Sequence, residues 1–132
     1  MPAGEMQMAV VGHVEWVQFG RVQELPRAGA VEHARDAFEE PAGGGAVAAV
    51  ALARLAGAAT LVTALGSDEH ARLTLARLAA LGVDVRLAPA AGSDPGEPPA
   101  TRRAVTLIDA SGERAITTFG ERLDPVATSG AW

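Results

Sequence analysis

Three consecutive glycines, Gly43 to Gly45, run straight into a helix-forming segment whose only polar side chain is Arg54, within PAGGGAVAAVALARLAG (Pro41 to Gly57). Backbone without Cβ atoms allows a ligand to approach closely. The free N–H groups of a helix start can then hold an oxygen-rich group. That is the layout of a small-molecule cradle. Other groups with chemistry are sparser. His13-Val14-Glu15 sets an imidazole two residues from a carboxylate, but His13, His33 and His70 show no metal-ligand spacing, and structural or surface roles are expected of them. Arg102-Arg103 offers a guanidinium fork to a phosphate or carboxylate, although such a pair is more often a surface feature. Asp36, Glu39 and Glu40 read as a solvated face. A dinucleotide fingerprint does not fit: its glycines should follow the first strand directly, and here GHVEW follows it.

Composition narrows the chemistry further. There is no cysteine, which excludes disulfides, thiolate catalysis and Cys-zinc sites. All eleven basic residues are arginine, so there is neither a Walker A lysine nor a Schiff-base lysine. A net charge of −5, without a basic patch interleaved with aromatics, speaks against nucleic-acid binding. No apolar run reaches membrane-spanning length and the start lacks a basic leader, so a cytoplasmic protein with no membrane partner is expected. The 132 residues suffice for one domain, and with 48% apolar but only 4% aromatic residues its core should be packed finely from small side chains.

The elements that must position these groups alternate in type. Met8–Val11 reads as a buried first strand and Val17–Val22 as a mixed edge strand. Pro26 and Gly29 mark a turn, and Val31–Glu40 should be exposed on at least one face. A helix is expected over Ala46–Ala56, with Val47, Val50, Ala51 and Leu55 against a sheet and Gly57 past its end. Thr60–Leu65 is the next strand, Asp68 an N-cap, and Glu69–Leu81 a second helix with Ala71, Leu75, Leu78 and Ala79 on one face. Val83–Leu87 is a third strand. This order is the signature of an α/β fold with a parallel sheet. After a Pro/Gly loop over Ala91–Ala100, expected to be mobile, Ala104–Ile108 and Ala115–Phe119 flank Asp109–Gly112 as a hairpin.

In order and spacing these pieces resemble the N-terminal part of the ribokinase-like (PfkB) carbohydrate kinases. VVGHVEW (Val10–Trp16) stands where that family has a strand ending in Gly before its first sugar contact. ELPRAGAV (Glu24–Val31) resembles its L-P-x-x-G-E segment, and AGGGAVAAVALARLAG (Ala42–Gly57) its G-G-K-G-A-N-x-A-x-x-x-A-R-L-G signature. ALGSDEHARLTLARLAALGVDV (Ala64–Val85) resembles its G-x-D-x-x-G passage, the following helix and G-V-D. The resemblance implies an incomplete, N-terminal portion of a three-layer α/β fold with a small β lid over residues 1–123. The lid segments would lie at about 17–38 and 101–119, and 124–132 would be an irregular tail.

Carried over residue by residue, the resemblance sets an acceptor site at Gly12, Glu15, Val17, Gly43, Gly44, Gly45 and Val47. The chain departs from the pattern at four of these: the family often has Asn and Asp where Glu15 and Val17 stand, and commonly Lys and Asn where Gly44 and Val47 stand. Glu15, Arg102 and Arg103 are the polar groups that would replace them. The family's later motifs, an Asn/Glu pair near the metal and D-T-x-G-A-G-D with the general base, do not occur in this sequence. The resemblance therefore implies the sugar- or nucleoside-binding part of a kinase that uses ATP and Mg2+ when complete. No catalytic, cofactor-binding or metal residue is assigned here, and no turnover is expected from this chain alone. The alternative is a non-catalytic ligand-binding or interaction module derived from a kinase fragment. A sheet cut midway exposes an edge, so self-association through that edge or the lid is also expected.

Overall fold

A computed structural model describes residues 6–94 and 96–126. Its elements run β1 (Ala9–Val11), β2 (Glu15–Arg21), β3 (Arg35–Ala42), α1 (Gly44–Ala56), β4 (Ala59–Thr63), α2 (Glu69–Ala80), β5 (Val83–Leu87), β6 (Arg103–Ile108) and β7 (Arg114–Phe119). They form two sheets. One is parallel and three-stranded, in the order β1-β4-β5; the other is four-stranded and mixed, in the order β3-β2-β6-β7. The chain leaves the parallel sheet after β1, builds half of the second sheet, and returns through α1.

Both helices share one core with the parallel sheet: Ala46, Ala49 and Ala53 of α1 and Leu78 of α2 meet Leu61, Val83 and Val14. Of the larger side chains of α1, Val50, as expected, and Leu52 pack partly buried against this core, while the others do not. Val47 and Leu55 are 60% and 84% exposed, and Ala51 is exposed as well, so these three of the four residues expected against the sheet do not pack on it. The physical reason lies at the helix start. A Cβ on Gly45 would stand 2.7 Å from the Gly12 carbonyl carbon and the His13 oxygen. The helix therefore crosses the exit of β1 at backbone contact, and its glycine–alanine stripe fills the narrow gap there. In α2 the core face is Ala71, Thr74 and Leu78, while Leu75 is half-buried and Ala79 exposed.

The ends of the helices follow local rules. Asp68 caps α2 by accepting from the Ala71 N–H at 2.9 Å, and Gly57, with φ of +90°, ends α1. The start of α1 carries no side-chain cap. Its Gly45 N–H goes instead to the His13 carbonyl at 3.0 Å.

In the mixed sheet β2 is central, between β3 and β6, and not the edge strand its composition suggested. β3 is the edge, and it continues through Pro41, which pairs with Trp16. An edge strand tolerates a residue without an N–H, so the proline does not end the strand. The register between β2 and β3 breaks at Gly20, opposite a stretch in which Asp36 has φ of +50°. The β6–β7 hairpin is closed by Asp109, whose carboxylate accepts from the N–H groups of Ser111 and Glu113. The segment expected to be a tail is tied down in its described part: Pro125 bridges Ala90, and the Val126 N–H donates to Pro89 at 2.8 Å. Residues 127–132 lie outside the described residues.

Candidate functional site

The expected site residues divide into those the fold brings together and those it separates. Gly12 ends β1 and donates its N–H to the Val62 carbonyl. A Cβ there would lie 2.9 Å from the Gly45 Cα. Gly12 and Gly45 are thus glycines because two backbones cross, which is a packing demand and not a ligand demand. Gly43 has φ of +86°, a conformation that L side chains rarely adopt. Gly44 is different. It is exposed, its φ lies outside the left-handed region, and a Cβ would find only the His13 ring, at 3.7 Å. Of the three glycines it is the one that leaves room unused by the chain. Beside it, the Gly44 and Ala46 N–H groups at the head of α1 have no protein partner among the described residues.

Glu15 begins β2 and Arg102 immediately precedes β6. Their side chains meet at 3.5 Å with only 15% and 22% exposed. The Arg102 Nη2 also donates to Thr118 at 3.0 Å, while its Nε is buried without a hydrogen-bond partner. This Nε is the atom that faces the Glu15 carboxylate across the 3.5 Å ion pair, without hydrogen-bond geometry. The Trp16 N–H to the Arg102 carbonyl, at 2.9 Å, fixes the two strand starts against each other.

Val17, Val47 and Arg103 do not join this group. Val17 is 2% exposed and lies in the interior of the mixed sheet with Ala104 and Thr106, so its side chain is closed to a ligand. Val47 lines a separate groove of about 320 Å³ with Glu40, Val50, Arg54, Arg77 and Leu81. There Arg77 grips Glu40 with two nitrogens, at 2.6 and 2.8 Å. Arg103 is the neighbour of Arg102 on a strand, and alternation turns it to the other side, over the Phe119 ring at 5.6 Å. Only one arginine of the pair is therefore available to Glu15.

Two features of the site are not carried by the expected residues. The His13 imidazole lies on the glycine run: a Cβ on Gly43 would be 3.1 Å from its Cδ2 and Nε2. The strand-like spacing of His13 and Glu15 around buried Val14 was the available signal. The second feature is a joint beneath the site. Asp68 both caps α2 and accepts from the Thr101 N–H at 2.8 Å, and the Thr101 hydroxyl accepts from the Gly66 N–H at 3.0 Å. Burial works against the charged Asp68 carboxylate, but the Thr101 and Ala71 hydrogen bonds outweigh it and hold its pKa below the ordinary value. This joint ties the parallel sheet to the start of β6, next to Arg102.

The model of the pfkB family carbohydrate kinases matches residues 6–126, nearly all of the chain. The chain belongs to this family. Its fold is ribokinase-like: it superposes with a TM-score of 0.75 and 27% identity on a protein of Agrobacterium tumefaciens provisionally assigned as a ribokinase, over 88% of this chain. It also superposes on the phosphofructokinase-2 of Escherichia coli in complex with fructose-6-phosphate (TM-score 0.67, 22% identity, 88% of this chain). A third match is the Arabidopsis thaliana ribokinase complexed with ribose and ATP (TM-score 0.60, 24% identity, 86% of this chain). The pfkB-family chain spans only 36%, 36% and 35% of the length of these three proteins. No curated protein matches it. Among the described residues no group of three His, Asp or Glu side chains comes together to hold a metal, and no helix is long and apolar enough to cross a membrane.

Proposed function

We propose that this chain carries the acceptor-binding side of a pfkB-type carbohydrate or nucleoside kinase and that it does not transfer phosphate by itself. The observation that supports this most is the Glu15–Arg102 pair, two mostly buried charges set where the mixed sheet meets the exit of β1 and the head of α1. A carboxylate accepts hydroxyl hydrogen bonds, and the Arg102 guanidinium beside it holds that carboxylate charged and in place. The site on this reading is Gly12, Glu15, Gly43, Gly44, Gly45 and Arg102, with Gly12 and Gly45 supplying the close crossing on which it rests. The mixed sheet would act as the lid, excluding water when a sugar or nucleoside is held beneath it. ATP and Mg2+ belong to the complete reaction, in which positioning and charge neutralisation dominate.

The test is a phosphotransfer assay on this chain with Mg-ATP and a panel of sugars and nucleosides, paired with a binding measurement on the same panel. Binding without turnover is expected. Sustained turnover would overturn the claim of inactivity, and absence of binding to every compound would overturn the acceptor reading.

A further inference from the structure

His13 is the one polar side chain laid over the glycine run, and the acceptor reading does not use it. Its imidazole packs against the backbone of Gly43 and Gly44, where a Cβ would stand 3.1 and 3.7 Å from ring atoms. The residue's own carbonyl is fixed by the Gly45 N–H, so the base of the side chain sits on a rigid crossing. The ring is half-buried, and among the described residues neither of its nitrogens forms a hydrogen bond. Next to it Val14 turns into the core, while Glu15 returns to the same half-buried margin and meets Arg102.

This placement has a chemical consequence. Gly43 and Gly44 contribute no side chain to a ligand, and Val47 faces another groove. An imidazole can donate from one nitrogen and accept at the other, which matches a sugar hydroxyl in both senses. We infer that His13 is a specificity-determining residue of the acceptor site, its imidazole hydrogen-bonding a hydroxyl of the sugar or nucleoside at the head of α1. The inference rests on the acceptor reading above. On it, polar recognition moves from the first turn of the helix to the link between β1 and β2, where the ring lies against the glycine backbone.

The experiment is a titration of the 15N-labelled chain with D-ribose and, separately, D-fructose, followed by amide and imidazole resonances. It compares the native chain with His13→Ala and His13→Phe. The Phe variant keeps a flat ring on the glycines and removes both nitrogens, so the Gly43–Gly45 amide positions report whether packing is preserved. The expected result is that one sugar shifts the His13 ring and the Gly43–Gly45 amides of the native chain, and that both variants bind it about tenfold more weakly. If the sugar shifts the Gly43–Gly45 and Glu15 amides equally in the native chain and in His13→Phe, the ring is only a filler and the inference falls while the acceptor reading stands. If neither sugar perturbs any of these resonances in the native chain, the inference falls, and the acceptor reading falls with it only if the full panel of sugars and nucleosides also fails to bind.

Discussion

A glycine's reason can be read from what a Cβ in its place would meet, and the three adjacent glycines of this chain have three different reasons. Gly45 is forced by backbone contact, Gly43 by its positive φ, and Gly44 by neither. Their substitution by alanine should therefore give a graded response. Gly45→Ala drives a methyl into the Gly12 and His13 backbone, which cannot yield as a side chain would, and should cost at least about 1–3 kcal/mol. Gly44→Ala places its methyl in ordinary contact with the His13 ring and should stay within about 1 kcal/mol of the native stability. Urea denaturation of the two variants measures the difference. Equal losses would mean that the crossing of α1 over β1 is looser than the 2.7 Å approach requires. The residue scale also shows why part of the site was hidden in the sequence. The carboxylate and the arginine pair were visible as residue types, but which arginine faces Glu15 depends on strand alternation fixed only by the register of β6 on β2.

At the scale of elements, the order of strands and helices was legible because each was announced by a period or a terminator, as with Gly57, Asp68 and the Asp109–Gly112 turn. The faces were less legible. Hydrophobic size pointed to Val47 and Leu55 as the buried side of α1, whereas a helix held at backbone distance from a strand buries its smallest residues. The centrality of β2 was unreadable locally, since it depends on a parallel partner that begins more than eighty residues later. The joint at Asp68 belongs to this scale, because it couples α2 to β6 through Thr101. Replacing it by alanine removes a helix cap and an inter-element bond together and should cost about 0.5–2 kcal/mol near neutral pH. The dependence on pH follows from the lowered carboxyl pKa. The unfolded chain titrates near 3.8, so the stabilisation is complete above that value and is lost as pH falls through the lower folded-state value. The stability gap between the native chain and Asp68→Ala should therefore close on acidification below about pH 4. A gap that stays constant down to the acid limit would show that the carboxylate's charge is not what holds Thr101.

For the whole molecule, the decisive property is how its sheet edges are protected. β1 offers only three residues, β5 carries Asp84 and Arg86, and β3 carries Asp36, Glu39 and Glu40. Short length and charge are the usual defences of an edge against pairing with another chain. β7 has neither along Ala115–Phe119, and its side chains are exposed, with Ile116 and Phe119 about half open to solvent. Its inner edge is spent on β6, so the outer edge of the uncharged stretch Ala115–Phe119 is available for pairing. Association should therefore begin at β7, in preference to the open end of the parallel sheet. Sedimentation velocity over a dilution series is expected to show mass rising with concentration, and Ile116→Lys should shift the chain toward monomer without lowering its melting temperature at high dilution, since the new charge lies on an exposed strand. Val11→Lys, at the edge of β1, should leave the association largely intact. If Val11→Lys disperses the chain and Ile116→Lys does not, the exposed surface that matters is that of the parallel sheet. A native chain that stays monomeric across the whole series would overturn association through the β7 edge.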